Sequence, residues 1–331
     1  MTADLKDEPI VLAGEDGFRV SVLRRGAGIH AIEIPHQGRL LNVCLGYPDP
    51  MAYRQDPYFV GSTVGRYAGR IDGGRLVSDG ATYALNVGGV GAPHCLHGGP
   101  EGFHTRDWTV VDDDRRAVAL HLVSEAGDQG FPGELTATVR YEVLDGWRLA
   151  IEYRATATSP TVVNLANHAY FNLDGDPHGR HDSILDHVVR LHAERYTPLL
   201  PSAIPRGDVR SVQGTAFDLR RPTPLRERIA TYDVLRDGFD QNFVVDGPAG
   251  ELRPAAEVFS PRSGLRLTVH TTQPGLQFYT GGGLGRPFAR FGGLCLETQN
   301  YPDAPHHADF PDPWLRPGQV YRQRTVYAFH G

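Results

Sequence analysis

The sequence predicts an all-β protein, a large antiparallel sandwich or barrel assembled from many short strands. Three observations carry this expectation. Apolar and polar residues alternate at period two along much of the chain. Glycine and proline number 39 and 25 and fall mostly between the alternating runs, where turns belong. Helical periodicity is nearly absent.

Taken in chain order, Phe18, Val20 and Val22 mark an early strand, and Val118, Leu120 and Leu122 a second. Leu135, Ala137, Val139, Tyr141 and Val143 alternate with Thr136, Thr138, Arg140 and Glu142. After a turn at Asp145-Gly146 the pattern resumes with Trp147, Leu149, Ile151, Tyr153 and Ala155, which predicts an antiparallel hairpin with one buried face. One short helix is expected between Thr223 and Leu235, with Thr223 as N-cap and Pro224 in the first turn. Leu265, Leu267 and Val269, then Tyr321, Gln323, Thr325 and Tyr327, predict two late strands. The proline-containing segments 198–205 and 302–317 read as ordered loops. Neither a repeat nor a low-complexity linker interrupts the chain, so residues 1–331 are expected to form one domain.

The formal net charge is -6, with acidic and basic residues interspersed. No basic block suggests a nucleic-acid surface and no Lys/Arg-rich helix a membrane surface. A neutral or weakly polar small molecule is the expected partner. The acidic, polar start Met1-Thr2-Ala3-Asp4-Leu5-Lys6-Asp7-Glu8 lacks the basic and apolar regions of a secretory leader. A run of about 18 apolar residues, the length of a transmembrane helix, occurs nowhere. Cys44, Cys95 and Cys295 are far apart and odd in number, which suits reduced thiols in a cytoplasmic protein. No sequence feature specifies more than a monomer or an incidental dimer.

Chemistry-bearing residues gather in five segments: 64–71, 96–108, 164–173, 237–243 and 273–302. Glu297 stands in the strand-like run Leu294-Cys295-Leu296-Glu297-Thr298-Gln299. Alternation puts Leu294 and Leu296 on one face and Cys295, Glu297 and Gln299 on the other. A carboxylate there is either an exposed or salt-bridged structural group, or a desolvated one with a raised pKa suited to general-base work. His168 lies among Asn164, Asn167 and Asn172, which can fix an imidazole's tautomer; it reads as a proton donor or as a hydrogen-bonded core histidine. His97, before Gly98-Gly99, is a ligand donor or a turn residue. Arg70 anchors a ligand hydroxyl, stabilises negative charge near a reacting centre, or is a surface arginine, and Asp240 is a double hydroxyl acceptor or a turn aspartate. Phe103, Trp108, Tyr170 and Tyr279 are either apolar faces for a ligand ring or core aromatics.

No metal site is predicted. His94, His97 and His104 cluster, but Pro93 and Gly98-Gly99 preclude a helix, and Glu101 is the one acidic residue at a ligand-like spacing. His306-His307 reads as a loop pair. Gly281, Gly282, Gly283 and Gly285 lack the strand–helix setting of a dinucleotide fingerprint.

Together these segments resemble the aldose 1-epimerase (galactose mutarotase) family. The resemblance runs through Gly65-Arg66-Tyr67-Ala68-Gly69-Arg70-Ile71, Leu96-His97-Gly98-Gly99 and Asn167-His168-Ala169-Tyr170-Phe171-Asn172-Leu173. It continues through Tyr196-Thr197-Pro198, Gly214-Thr215-Ala216-Phe217-Asp218 and Gln273-Pro274-Gly275-Leu276-Gln277-Phe278-Tyr279-Thr280-Gly281. It ends at Leu296-Glu297-Thr298-Gln299 and Tyr301-Pro302-Asp303-Ala304-Pro305. The resemblance implies a large antiparallel β-sandwich of the galactose mutarotase-like type that interconverts the anomers of a free monosaccharide without a cofactor. It implies Glu297 as catalytic base, His168 as catalytic acid, and Arg70, His97, Asp240 and Gln277 as substrate-positioning residues. Three positions depart from the family pattern: Gly69 and Gly282 stand where asparagine is usual or frequent, and Gln241 where histidine is frequent. The readings left open beside mutarotation are a related enzyme for a modified sugar, an inverting glycosidase using Glu297 and Asp240, and a non-catalytic sugar-binding protein.

Overall fold

The computed structural model describes residues 8–78, 80–176 and 183–331. The leader reading concerns a start that lies, except for Glu8, outside them. Two antiparallel sheets dominate. The larger has nine strands in the order Thr109–Asp113, Ala117–Ser124, Leu135–Leu144, Arg148–Ala157, Tyr321–His330, Arg266–Thr271, Arg253–Phe259, Val188–Leu191 and Thr223–Pro224. The smaller has six, in the order Tyr170–Phe171, Leu294–Gln299, Gly275–Tyr279, Asp240–Val244, Arg195–Tyr196 and Arg210–Ser211. A four-stranded sheet, Ile10–Ala13 to Arg39–Asn42, flanks them.

The expected hairpin forms, but Trp147, expected as the first residue of the second strand, has φ +53° and belongs to the turn, so the strand starts at Arg148 and Leu144 pairs with Arg148. Tyr141 faces Ile151, Val139 faces Tyr153 and Ala137 faces Ala155 across it. Burial along Leu135–Leu144 alternates strictly, because every second side chain enters the core. That core is shared. Leu135, Val139, Ile151 and Tyr327 of the nine-stranded sheet belong to one apolar cluster with Phe243, Leu276, Phe278, Leu294 and Leu296 of the six-stranded sheet. Polar contacts also cross between the sheets: Thr298 Oγ1 lies 2.5 Å from Thr325 Oγ1, and the Tyr327 hydroxyl donates to the Leu296 carbonyl at 3.3 Å. The two faces pack as a sandwich.

The helix is shorter than the sequence predicts. It spans Leu225–Thr231, and its N-cap is Pro224, not Thr223. Thr223 pairs with Val189 at the sheet edge, and its hydroxyl donates to the Arg221 carbonyl rather than capping the helix. A separate 3₁₀ turn takes Asp233–Leu235. Among the described residues no helix is long and apolar enough to cross a membrane. All three cysteines are buried and free.

Candidate active site

The six-stranded sheet has two buried faces with different chemistry. Leu276, Phe278, Leu294 and Leu296 point into the shared core. The opposite face carries polar side chains in cross-strand rows. Asn242 pairs with Gln277, and Gln277 with Glu297; in the next row Asp240 pairs with Tyr279, and Tyr279 with Cys295. A cavity of about 220 Å³ opens over this face. Its lining includes Arg70, His97, His168, Asp240, Gln277 and Glu297. All six residues singled out from the sequence therefore meet in one place.

Glu297 is 2 % exposed, which removes the exposed-carboxylate reading. Burial pushes its carboxyl well above the usual carboxylate range; the charge of Asp240 adds to this and Arg70 opposes it. Its Oε1 lies 3.7 Å from His168 Nε2. Its Oε2 has no hydrogen-bond partner among the described residues, and neither does Gln277 Oε1. Buried polar atoms without partners are costly. Here they face a cavity in which a polyhydroxylated ligand can satisfy them.

His168 is held by its backbone: its N–H donates to the Ser62 carbonyl at 2.9 Å and its carbonyl accepts from Gly61 N–H at 3.1 Å. The neighbouring amides act differently from the sequence expectation. Asn164, Asn167 and Asn172 donate to the main-chain carbonyls of Ala68, Gly61 and Gly292, so they tie loops and do not touch the imidazole. Rings enclose the imidazole instead, with Phe59, His97 and Tyr170 at centroid distances of 5.7, 5.3 and 5.0 Å. Burial lowers the His168 pKa to about 4.

Arg70 and His97 reach the cavity through a two-stranded link. Arg70 pairs with Leu96, which sets His97 beside Gly69. Gly69 N–H donates to His97 Nδ1 at 3.1 Å. A neutral imidazole accepting at Nδ1 carries its proton on Nε2, so His97 presents a donor to the cavity. Burial first, then the charges of His168 and Arg70, holds it neutral well below its ordinary pKa. Asp240 is fixed by Gln277 Nε2 at 2.6 Å and faces Arg70 at 3.8 Å.

The sequence's histidine cluster does not assemble. His94 Nδ1 sits 3.0 Å from Asp72, away from the cavity lining. A different trio, His97, His168 and Glu297, brings ligand-type atoms within 4.8 Å of one another. With the Nδ1 lone pair of His97 occupied by the Gly69 amide, the neutral ring carries its proton on the inward Nε2, which in that tautomer offers no lone pair to a metal.

Tyr170 and Tyr279 line the cavity, but Phe103 and Trp108 do not. These two are core aromatics, stacked edge-on at 5.6 Å. Of the three departures, Gly69 lines the cavity. Gly282 does not; a Cβ there would come 1.8 Å from the Asp237 carbonyl, so close backbone approach explains that glycine. Gln241 faces away from the polar row and donates to the Thr197 carbonyl. The pair His306 and His307 has a structural task, flanking the buried Asp303 carboxylate at 2.6 and 3.2 Å. Phe59, Tyr58, Pro302 and Gln299, to which the sequence assigns no role, also line the cavity. Gln299 was within reach, two residues beyond Glu297 on the same face. Phe59 lies outside every motif segment.

Comparison with known proteins places the chain in a family. Residues 8–328 match the protein family described as aldose 1-epimerase. The chain is 38 % identical to an aldose 1-epimerase of Escherichia coli, over 97 % of this chain and 94 % of that protein. It is 41 % identical to a galactose mutarotase of Bos taurus, over 95 % and 92 %. A crystal structure of an aldose epimerase homologue from C. elegans superimposes with a TM-score of 0.90, at 31 % identity over 97 % of this chain and 98 % of that one.

Proposed function

The chain belongs to the aldose 1-epimerase family, and from that premise we infer that it is an isomerase interconverting the α and β anomers of a free aldose such as glucose or galactose. The observation that carries the reading is the buried Glu297–His168 pair, 3.7 Å apart on the cavity floor. Mutarotation requires one proton to leave the C1 hydroxyl and one to reach the ring oxygen. In this reading Glu297 takes the first and His168 supplies the second. The ring opens to the free aldehyde, C1–C2 rotates, and reclosure reverses both transfers.

Burial favours the uncharged form of each partner, raising Glu297 and lowering His168 to about 4. A carboxyl–imidazole pair and a carboxylate–imidazolium pair differ by one proton moved across the gap. Each positioned acid or base contributes about 10²–10⁴-fold. Arg70, His97, Asp240 and Gln277 would hold the sugar hydroxyls, since they offer donors and acceptors around the same floor. The balance of charge-neutral donors and acceptors favours a neutral monosaccharide, and we read residues 1–331 as one catalytic unit.

The test is polarimetry. Freshly dissolved α-D-glucose and α-D-galactose should approach equilibrium rotation faster with the protein than without it. Glu297→Gln should remove the acceleration while sugar binding by calorimetry persists. Full activity in Glu297→Gln would overturn the base assignment, and no acceleration by folded wild-type protein would overturn the reaction for these sugars.

A further inference from the structure

Cys295 is a buried titratable group next to the reacting pair that the reaction above leaves unused. It is fully buried, two residues before Glu297 on the cavity-facing side of the same strand. Its Sγ lies 3.5 Å from His168 Nδ1. The opposite ring nitrogen, Nε2, is the one that faces Glu297.

We propose that Cys295 is a positioning residue for the reaction: its sulfur accepts from Nδ1–H of His168, keeps that proton in place, and leaves Nε2 as the nitrogen that gives and regains the mobile proton. The inference rests on His168 acting as the acid. Its logic is one of proton bookkeeping on two nitrogens. An imidazolium bears hydrogen on both. After it protonates the ring oxygen from Nε2, one hydrogen remains, and the reverse step needs a lone pair on Nε2. Only the Nδ1–H tautomer offers that. The thiol suits the place in a second way. It keeps its own proton, since burial pushes its pKa well up, so it adds no negative charge. A neutral sulfur is a weak acceptor and stabilises the imidazolium little, which leaves His168 a strong acid. A carboxylate at the same spot would fix the same tautomer but hold the proton more tightly.

The groups facing the imidazole from each packed element are Cys295 and Glu297 on the neighbouring strand, Tyr170 beside it, His97 across the cavity, and His104 behind Phe59. Of these, Cys295 alone is paired with Nδ1 among the described residues.

The experiment is ¹⁵N NMR of imidazole-labelled protein at pH 7, with His168 assigned by its loss in His168→Asn, alongside steady-state polarimetry. Wild type should show His168 as the Nδ1–H tautomer. Cys295→Ala should mix the tautomers and lower kcat about tenfold with KM within about twofold, well short of the roughly 10⁴-fold that follows loss of a charged tautomer-fixing partner. Cys295→Ser, which restores a neutral acceptor, should recover most of both signals. An Nε2–H tautomer in wild type overturns the inference without any variant. So does a Cys295→Ala enzyme with unchanged tautomer and kcat. A His168→Asn enzyme with full activity would instead overturn the acid assignment, so the two failures are distinguishable.

Discussion

In the nine-stranded sheet, the hairpin of Leu135–Leu144 and Arg148–Ala157 buries one face and leaves Thr136, Thr138, Arg140 and Glu142 partly exposed on the other. In the six-stranded sheet, Leu294–Gln299 buries all six residues. The hairpin gains stability from each inward side chain and puts these polar groups towards water. The second sheet buries a carboxylate and four amide side chains, Gln241, Asn242, Gln277 and Gln299, and several polar atoms of Glu297, Asn242, Gln277 and Gln299 have no partner among the described residues. Reactive, destabilising groups are thus concentrated on short strands, and a long regular sheet packed against them contributes stability.

Substitutions should separate the two sheets. The largest expected effect is on turnover. Glu297→Gln and His168→Asn should each lower kcat about 10²–10⁴-fold. Neither should lower Tm, because each removes a buried group that favours its uncharged form. A large drop in Tm with either would mean that the pair is structural. Next comes the core of the larger sheet. Ile151→Ala should cost about 2–5 kcal/mol of stability in chemical denaturation, with kcat of the folded enzyme unchanged. A fall in kcat comparable to that of the site variants would dissolve the distinction.

A third effect is graded with pH. His104, His168 and His187 are held neutral by burial, with pKa values lowered to about 4 from 6.5. Between those values the unfolded chain binds protons that the native state refuses. The contribution of these histidines is therefore complete above pH 6.5 and declines as pH falls towards 4. Glu297 works in the opposite sense, since its raised pKa withdraws stability as pH rises. Tm measured from pH 7 to 4 should fall, and should fall less in His168→Asn. A flat profile would contradict the burial of these rings. The smallest effect is expected at Gly69. Its φ of +81° is one that asparagine tolerates, and a Cβ would stand 3.1 Å from Pro302 and 3.4 Å from Gln299. Gly69→Asn should change KM by less than about tenfold, the scale of one hydrogen bond. Its ratio between glucose and galactose reports which hydroxyl lies nearby.

The same contrast governs what was legible in the sequence. Period-two alternation on a half-exposed hairpin marks which side chains enter the core, so both strands between Leu135 and Ala155 were legible, whereas the turn takes in Trp147 at φ +53°, which alternation alone does not show. The faces of Leu294–Gln299 were also legible, since Leu294 and Leu296 differ in kind from Glu297. The depth of Glu297 was not, because no local pattern shows that the outer face is covered by loops from residues 57–70 and 96–104. The meeting of Gln277 with Glu297 depends on pairing between strands distant from Arg70 and His168 in sequence, and spacing cannot encode it. The helix start failed for a local reason. Pro224 has extended backbone angles at the cap, and Thr223 is drawn into the sheet edge.

The Gly69 amide bonded to His97 has a practical corollary. Two histidines and a glutamate in a solvent-reachable cleft are a familiar trap for zinc, nickel or copper. One main-chain N–H, by occupying the outer nitrogen of His97, turns its inner nitrogen from an electron-pair donor into a hydrogen donor and takes one arm from the trap. The same contact that sets the His97 tautomer therefore also lowers the cleft's appetite for transition metals.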